Sequence, residues 1–160
     1  MKLKSKHVGF FAGLVAMACV VIALFWFREK PEGSVSYNCL SAFGMKVKSQ
    51  HFTTSLNIFL EMRKDNTGYL DIAGKVTHNG NENKIARSYS FNYKKQKGDI
   101  YHLTDIVMSK RTADTTDDVL MNNLIFSIDS GIGRYIRITQ LNNAYIVGNL
   151  YSPLFFCTVN

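Results

Sequence analysis

The sequence predicts a mainly β chain: an N-terminal single transmembrane helix, then a small antiparallel β-barrel or strongly curved sheet with one short helix. Three observations predict it. Residues 8–27 read VGFFAGLVAMACVVIALFWF and carry no charge. From Ser34 onward, apolar residues recur at every second position. Between the alternating runs lie Asn-Gly, Asp-Asn-Thr-Gly and Lys-Gly-Asp, the chemistry of tight turns between antiparallel neighbours. The chain has 160 residues, 46% of them hydrophobic, with 11 Gly and 2 Pro. That fits one ordinary domain and excludes collagen-like, low-complexity and disordered classes.

The apolar run comes first. At about 1.5 Å per residue it spans roughly 30 Å, a bilayer's hydrocarbon thickness. It has no polar face, and Trp26 stands at its outer end, where an indole suits the headgroup region. Lys2, Lys4 and Lys6 form the basic start of a secretory signal. A cleavable core is shorter and ends in small residues, whereas this one ends in Phe25, Trp26 and Phe27. A lipoprotein cut at Cys19 would leave eight apolar residues beyond the cut. The expected division is a cytoplasmic tail over 1–7, an uncleaved signal anchor over 8–27 and an outer domain over 28–160. Basic residues stay on the cytoplasmic side, so the outer domain is expected in the periplasm of a Gram-negative host, with the anchor in the inner membrane.

Charge and cysteine usage fit that placement. From position 28 onward the chain has 16 basic and 12 acidic residues. The basic ones are read as dispersed, as at Lys46, Lys75, Arg87 and Arg134, so the pI near 9.4 is a poor argument for nucleic acid. Cys19 falls inside the apolar run and reads as a packing residue. Cys39 and Cys157 are the only cysteines of the outer domain. They are either two buried thiols or a disulfide, and an oxidising compartment favours the disulfide.

In the outer domain, strands are expected over about 50–63, 69–78, 83–94, 100–109, 134–141, 145–151 and 154–159. Val35, Tyr37 and Cys39 alternate ahead of them. One alternating set is Ile85, Arg87, Tyr89, Phe91 and Tyr93. Arg111 to Asp118 reads as a polar loop, and Thr116-Asp117-Asp118 as the cap of a short helix over 119–125. Closure would remove the edges of such long strands, and an edge left open would invite a partner's strand.

No catalytic, cofactor or metal site is expected. HExxH, CxxC, GxSxG and Walker patterns are missing from the sequence. Asp65 to Asp71 lacks the closing Glu of a calcium loop. The histidines His51, His78 and His102 are the candidate pH-sensing residues, because mild acid charges this side chain.

Tyr37-Asn38-Cys39 and the tail from Tyr145 through Pro153 to Phe156-Cys157, set behind a short basic start and one anchor, resemble the FidL-like small inner-membrane proteins. Within them the chain is similar to the PsaF/MyfF-type accessory regulators of enterobacterial fimbriae. The resemblance implies a lipocalin-like barrel and no catalytic residue. The implied partner is a membrane-bound, winged-helix transcription activator (PsaE/MyfE-like), bound through its periplasmic segment. The pair would promote fimbrial transcription in response to acid and temperature. The alternative expectation is a stand-alone barrel that binds a bile salt or lipid.

Overall fold

The computed structural model describes residues 15, 17–22, 36–124 and 133–159. The chain divides into two units, Met1–Glu32 and Gly33–Asn160. In the first, residues 15 and 17–22 are helical and exposed. The expected anchor over 8–27 otherwise lies outside the described residues. Among the described residues, no helix is long and apolar enough to cross a membrane.

The second unit folds because its alternation is nearly unbroken. Eight strands form a closed antiparallel barrel in simple chain order. They are β1 (Tyr37–Val47), β2 (Phe52–Met62), β3 (Thr67–His78), β4 (Asn81–Lys95), β5 (Ile100–Lys110), β6 (Arg134–Leu141), β7 (Ala144–Gly148) and β8 (Pro153–Thr158). A helix α1 (Asp118–Leu124) follows β5. Between a closed barrel and a curved sheet, which the periodicity left open, closure is what forms.

Each strand turns one face inward. On β2, Phe52, Leu56, Ile58, Leu60 and Met62 are buried while Thr53, Ser55 and Asn57 face water. Ile85, Tyr89, Phe91 and Tyr93 continue that core from β4. At about 25 cal/mol per Å² of apolar surface, this inward row is the main stabilising term. The turns use the expected residues: Asn66, Asn79, Gly80, Gly98 and Asn142 all have positive φ. Gly74 is needed for a different reason. It sits on β3 opposite Leu56, and a Cβ there would run into the Ser55 carbonyl oxygen.

Three boundaries differ from the sequence reading. β1 runs on to Val47, because Phe43, Met45 and Val47 extend the inward row past Cys39. β7 stops at Gly148, where the Asn149 side chain accepts hydrogen bonds from the Tyr151 and Ser152 amides and turns the chain. The helix is one residue earlier than expected, and the Asp117 carboxylate caps it by accepting from the Leu120 amide at 3.0 Å.

Strand length is uneven around the barrel. β1 to β5 have 11 to 15 residues, whereas β6, β7 and β8 have 8, 5 and 6. Among the described residues the short strands therefore leave part of the wall unpaired, and that mismatch positions the site.

Candidate functional site

Two seams of the barrel are thin. β5 pairs with β6 only from Ile100 to Leu103. β1 pairs with β8 only at Leu40, opposite Thr158. Beyond those points, residues 104–110 of β5 and 41–47 of β1 have no strand partner on that side among the described residues. On their other sides, 41–47 pairs fully with β2, and 104–110 pairs with β4 except at Asp105 and Ile106. They are thus rigid edges with unused backbone donors and acceptors. Ile106 and Met108 turn toward the core while Val107 is exposed. A bulge between Ser90 and Asn92 shifts the β5 register, and Asp105 takes positive φ there. The Asn92 amide donates to the Asp105 carboxylate at 2.9 Å and holds the bend.

The β1–β8 seam has a covalent latch. Cys39 and Cys157 form a disulfide with Cα atoms 5.3 Å apart, and both residues are buried. The bond stands one residue from the single Leu40–Thr158 pair. The Thr158 hydroxyl adds a hydrogen bond to the Leu40 carbonyl at 3.3 Å.

The end of the barrel next to those edges is closed by the segment from Arg111 to α1. The expected polar loop over 111–118 is in fact partly core. Asp114 and Thr116 are buried, and so is Arg87, which is 1% exposed. The reading of Arg87 as one of the dispersed basic residues is therefore corrected. Its position in an otherwise apolar alternating row placed it inside, and that row was the available signal. Its guanidinium donates from Nε to Asp114 Oδ2 at 2.8 Å and from Nη2 to Asp114 Oδ1 at 3.2 Å. Nη2 also donates to the Thr116 carbonyl at 2.6 Å and lies 2.8 Å from Asp118. Asp114 accepts further bonds from the Ala86 and Thr116 amides. Burial alone would push the Asp114 carboxyl up, but Arg87 and these amides outweigh it and hold the carboxyl below its ordinary value. Burial likewise pulls Arg87 down, and Asp114 more than compensates.

The same segment covers the start of β4 beyond the end of β5. The Thr115 amide donates to the Lys84 carbonyl at 2.9 Å, and the Arg111 amide to the Ala86 carbonyl at 2.9 Å. Met121 of α1 then enters the core and is fully buried.

The three histidines do not come together. His51 is an exposed turn residue with φ of 46°. His78 ends β3, with Nε2 3.3 Å from the Asn79 amide nitrogen and its ring edge-on to Phe52. These two share an open groove with Asn81, Asn83 and Asp117 beside α1. His102 is elsewhere, on the outer wall of β5, stacked on Tyr135 with ring centres 4.3 Å apart.

Inside the barrel, Phe43, Leu60, Ile72, Leu103, Ile136 and Phe155 help line an apolar cavity of about 90 Å³. Drug-sized ligands occupy sites of roughly 300–1,000 Å³. Among the described residues, no group of three or more His, Cys, Asp or Glu could hold a metal ion.

Fold and site together define a small up-and-down β-barrel whose first and last strands are joined by a disulfide and whose wall is incompletely paired at one end. Residues 74–157 match the family described as "FidL-like putative membrane protein", and the chain belongs to this FidL-like family of membrane proteins. The match begins at Gly74 near the end of β3, covers β4 to β7, and ends in β8 at Cys157, one half of the latch. No curated protein matches the chain.

Proposed function

We propose that the chain is a periplasmic accessory subunit, anchored in the inner membrane by residues 8–27, that binds and stabilises the outer segment of a membrane-bound winged-helix transcription activator. In this reading it helps promote fimbrial gene expression in response to acid and temperature, in the manner of the PsaF/MyfF-type regulators. The carrying observation is the pair of strand edges, 104–110 of β5 and 41–47 of β1, that have no strand partner among the described residues. An extended partner segment adding to either edge gains main-chain hydrogen bonds, and on the β5 edge it also covers the exposed Val107. The lipocalin-like order of the barrel suits such a role, because its long-stranded half is rigid enough to serve as a template.

The histidines supply the acid response in this reading. His51 and His78 line the groove beside α1 together with Asp117, so charging them alters the end of the barrel next to the free edges. The small interior cavity favours a partner over a stand-alone sensor of bile salts or lipids.

The test is co-purification of the full chain with a candidate activator carrying one membrane helix, at neutral and mildly acidic pH. Val107→Lys places a charge on the β5 edge without touching the core. It is expected to abolish co-purification and lower activator levels in cells while the barrel melts as before. Undiminished binding by this variant and by a matching Ala42→Lys variant on the β1 edge would refute the edge-docking reading.

A further inference from the structure

Around its circumference the barrel has two unlike walls. β2, β3 and β4 face outward with residues such as Thr53, Asn57, Lys75 and Ser88. The opposite wall, from β6 across β8 to β1, faces outward with Tyr135, Leu141, Ile146, Phe156 and Leu40. Apart from Val107 and Val119, every exposed large apolar side chain among the described barrel residues lies on β1, β6, β8 or the turn and tail beside them. Phe156 is 61% exposed and Tyr151, on the β7–β8 turn, 94%. The register makes these residues one surface: Thr139 lies opposite Ile146, and Ile146 opposite Phe156. Tyr151, Ile146, Phe156 and Arg137 together border a shallow groove.

The charge on this wall is one-sided. Between Gly133 and Val159 there is no Asp, Glu or Lys, and the only charges are Arg134 and Arg137. Arg137 makes an exposed contact with Asp99 at 3.4 Å, and an exposed pair of this kind is weak and exchangeable.

We propose that this wall is a membrane-docking face, on which Tyr151, Phe156 and Leu40 meet the headgroup region of an anionic bilayer and Arg137 meets lipid phosphate. The inference rests on the anchored reading given above. Nine residues, 28–36, separate the apolar run from β1, and such a segment reaches at most about 30 Å. The tether enters at β1, the strand that contributes Leu40 to the apolar wall. A surface of aromatic and aliphatic side chains with arginine, on which Asp99 beside Arg137 and Thr139 is the neighbouring carboxylate, is the composition of an interfacial face, with the apolar part partitioning and the cation drawn to anionic lipid. Docking there leaves the 104–110 edge of β5 available to a protein partner, so the two surfaces serve different occupants.

The test uses the full chain with Cys19→Ser and Ser152→Cys, labelled at position 152 with an environment-sensitive fluorophore. It is reconstituted in vesicles of phosphatidylglycerol and phosphatidylethanolamine that carry a quencher at the headgroup–acyl boundary. A second chain carries the label at Asn57→Cys, on the polar wall. The label at 152 is expected to be quenched several-fold more than the label at 57. Tyr151→Ser with Phe156→Ser should abolish the difference, and Arg137→Glu should reduce it in anionic but not in neutral vesicles. Equal quenching at both positions overturns the proposal. So does a label at 152 shielded from aqueous quencher but untouched by the lipid quencher, with chains cross-linking in pairs, since a protein then covers the wall. Alkaline carbonate separates this from the anchor: a chain that resists the wash yet shows equal quenching refutes only the docking face. A chain that washes off, having shown strong quenching beforehand, refutes only the anchor.

Discussion

Replacing both Cys39 and Cys157 with Ala should remove most of what holds the first and last strands together. The bond closes a loop with a sequence separation of 118. In the chain-entropy account such a loop contributes about 5 kcal/mol through the unfolded state. Domains of this size are stable by only about 5–15 kcal/mol in total, so the bond is a large share. The structure adds a local reason. Without it, the β1–β8 seam keeps one strand pair, one threonine hydrogen bond and the edge-on contact of Phe43 with Phe155. Alanine is the right replacement because it leaves no orphaned polar group in the core. The assay is urea unfolding of the barrel, with hydrogen exchange followed along the strands. The midpoint should fall by roughly 2 M, given the usual slope for small domains. Exchange should rise first in β8 and at the start of β1, while β2, β3 and β4 stay protected. A midpoint shift of less than about 0.5 M, or exchange rising uniformly, would refute the argument that this seam is the weak one.

Other consequences can be measured alongside it. Arg87→Met leaves the buried Asp114 carboxylate with only the partly exposed Lys110 ammonium, 3.6 Å away, and should cost about 3–5 kcal/mol in denaturant melts, whereas Arg87→Met with Asp114→Leu should recover much of that loss. Asp114 is held below its ordinary value when folded, so its contribution is complete above the unfolded carboxyl value and fades only as pH falls through the lower folded one. Stability should therefore show no Asp114-dependent change between pH 7 and about 5, and Arg87→Met should flatten only the steep acid limb below about pH 4; a slope lost near neutrality would contradict this. Met121→Ala should cost about 2–5 kcal/mol and speed exchange in α1, because its side chain is fully buried at the barrel's end. Gly74→Ala should cost about 1–3 kcal/mol, read as a lowered melting temperature, since the new methyl meets the β2 backbone.

Much of this fold was legible from period two alone, because a barrel wall buries one face of every strand and that constraint writes itself into alternate residues. β2 to β5 came out within a few residues of their observed ends for this reason. The turn residues were equally plain, since Asn66, Asn79, Gly80 and Gly98 need a backbone region that few side chains tolerate. β1 was harder to see beyond Cys39, because Gly44 and Lys46 alternate with Phe43 and Met45 in a stretch bounded by no strong turn. The site was less legible than the fold. Unfilled edges arise from the difference in length between β5 and β6, and pairing partners are not visible in either strand by itself. Arg87 had a readable position but an unreadable partner: Asp114 is 27 residues away, in a segment whose polarity resembles any exposed loop. The outer apolar wall had a signal that went unused, since a core strand does not need Ile146 and Phe156 on one face as well as Val147 and Phe155 on the other.

The latch joins the earliest strand to the latest. A chain emerging from the ribosome presents its N-terminal part first. Every consecutive strand pair except β5–β6 is a hairpin of neighbouring sequence that can form as it appears, and local contacts of this kind assemble quickly. Cys39 must wait as an unmatched thiol until Cys157 has been made, and nothing earlier in the barrel offers it a correct mate. Oxidation is thus a signal of completion: a truncated product keeps its thiol exposed to quality control, and only a finished barrel conceals it.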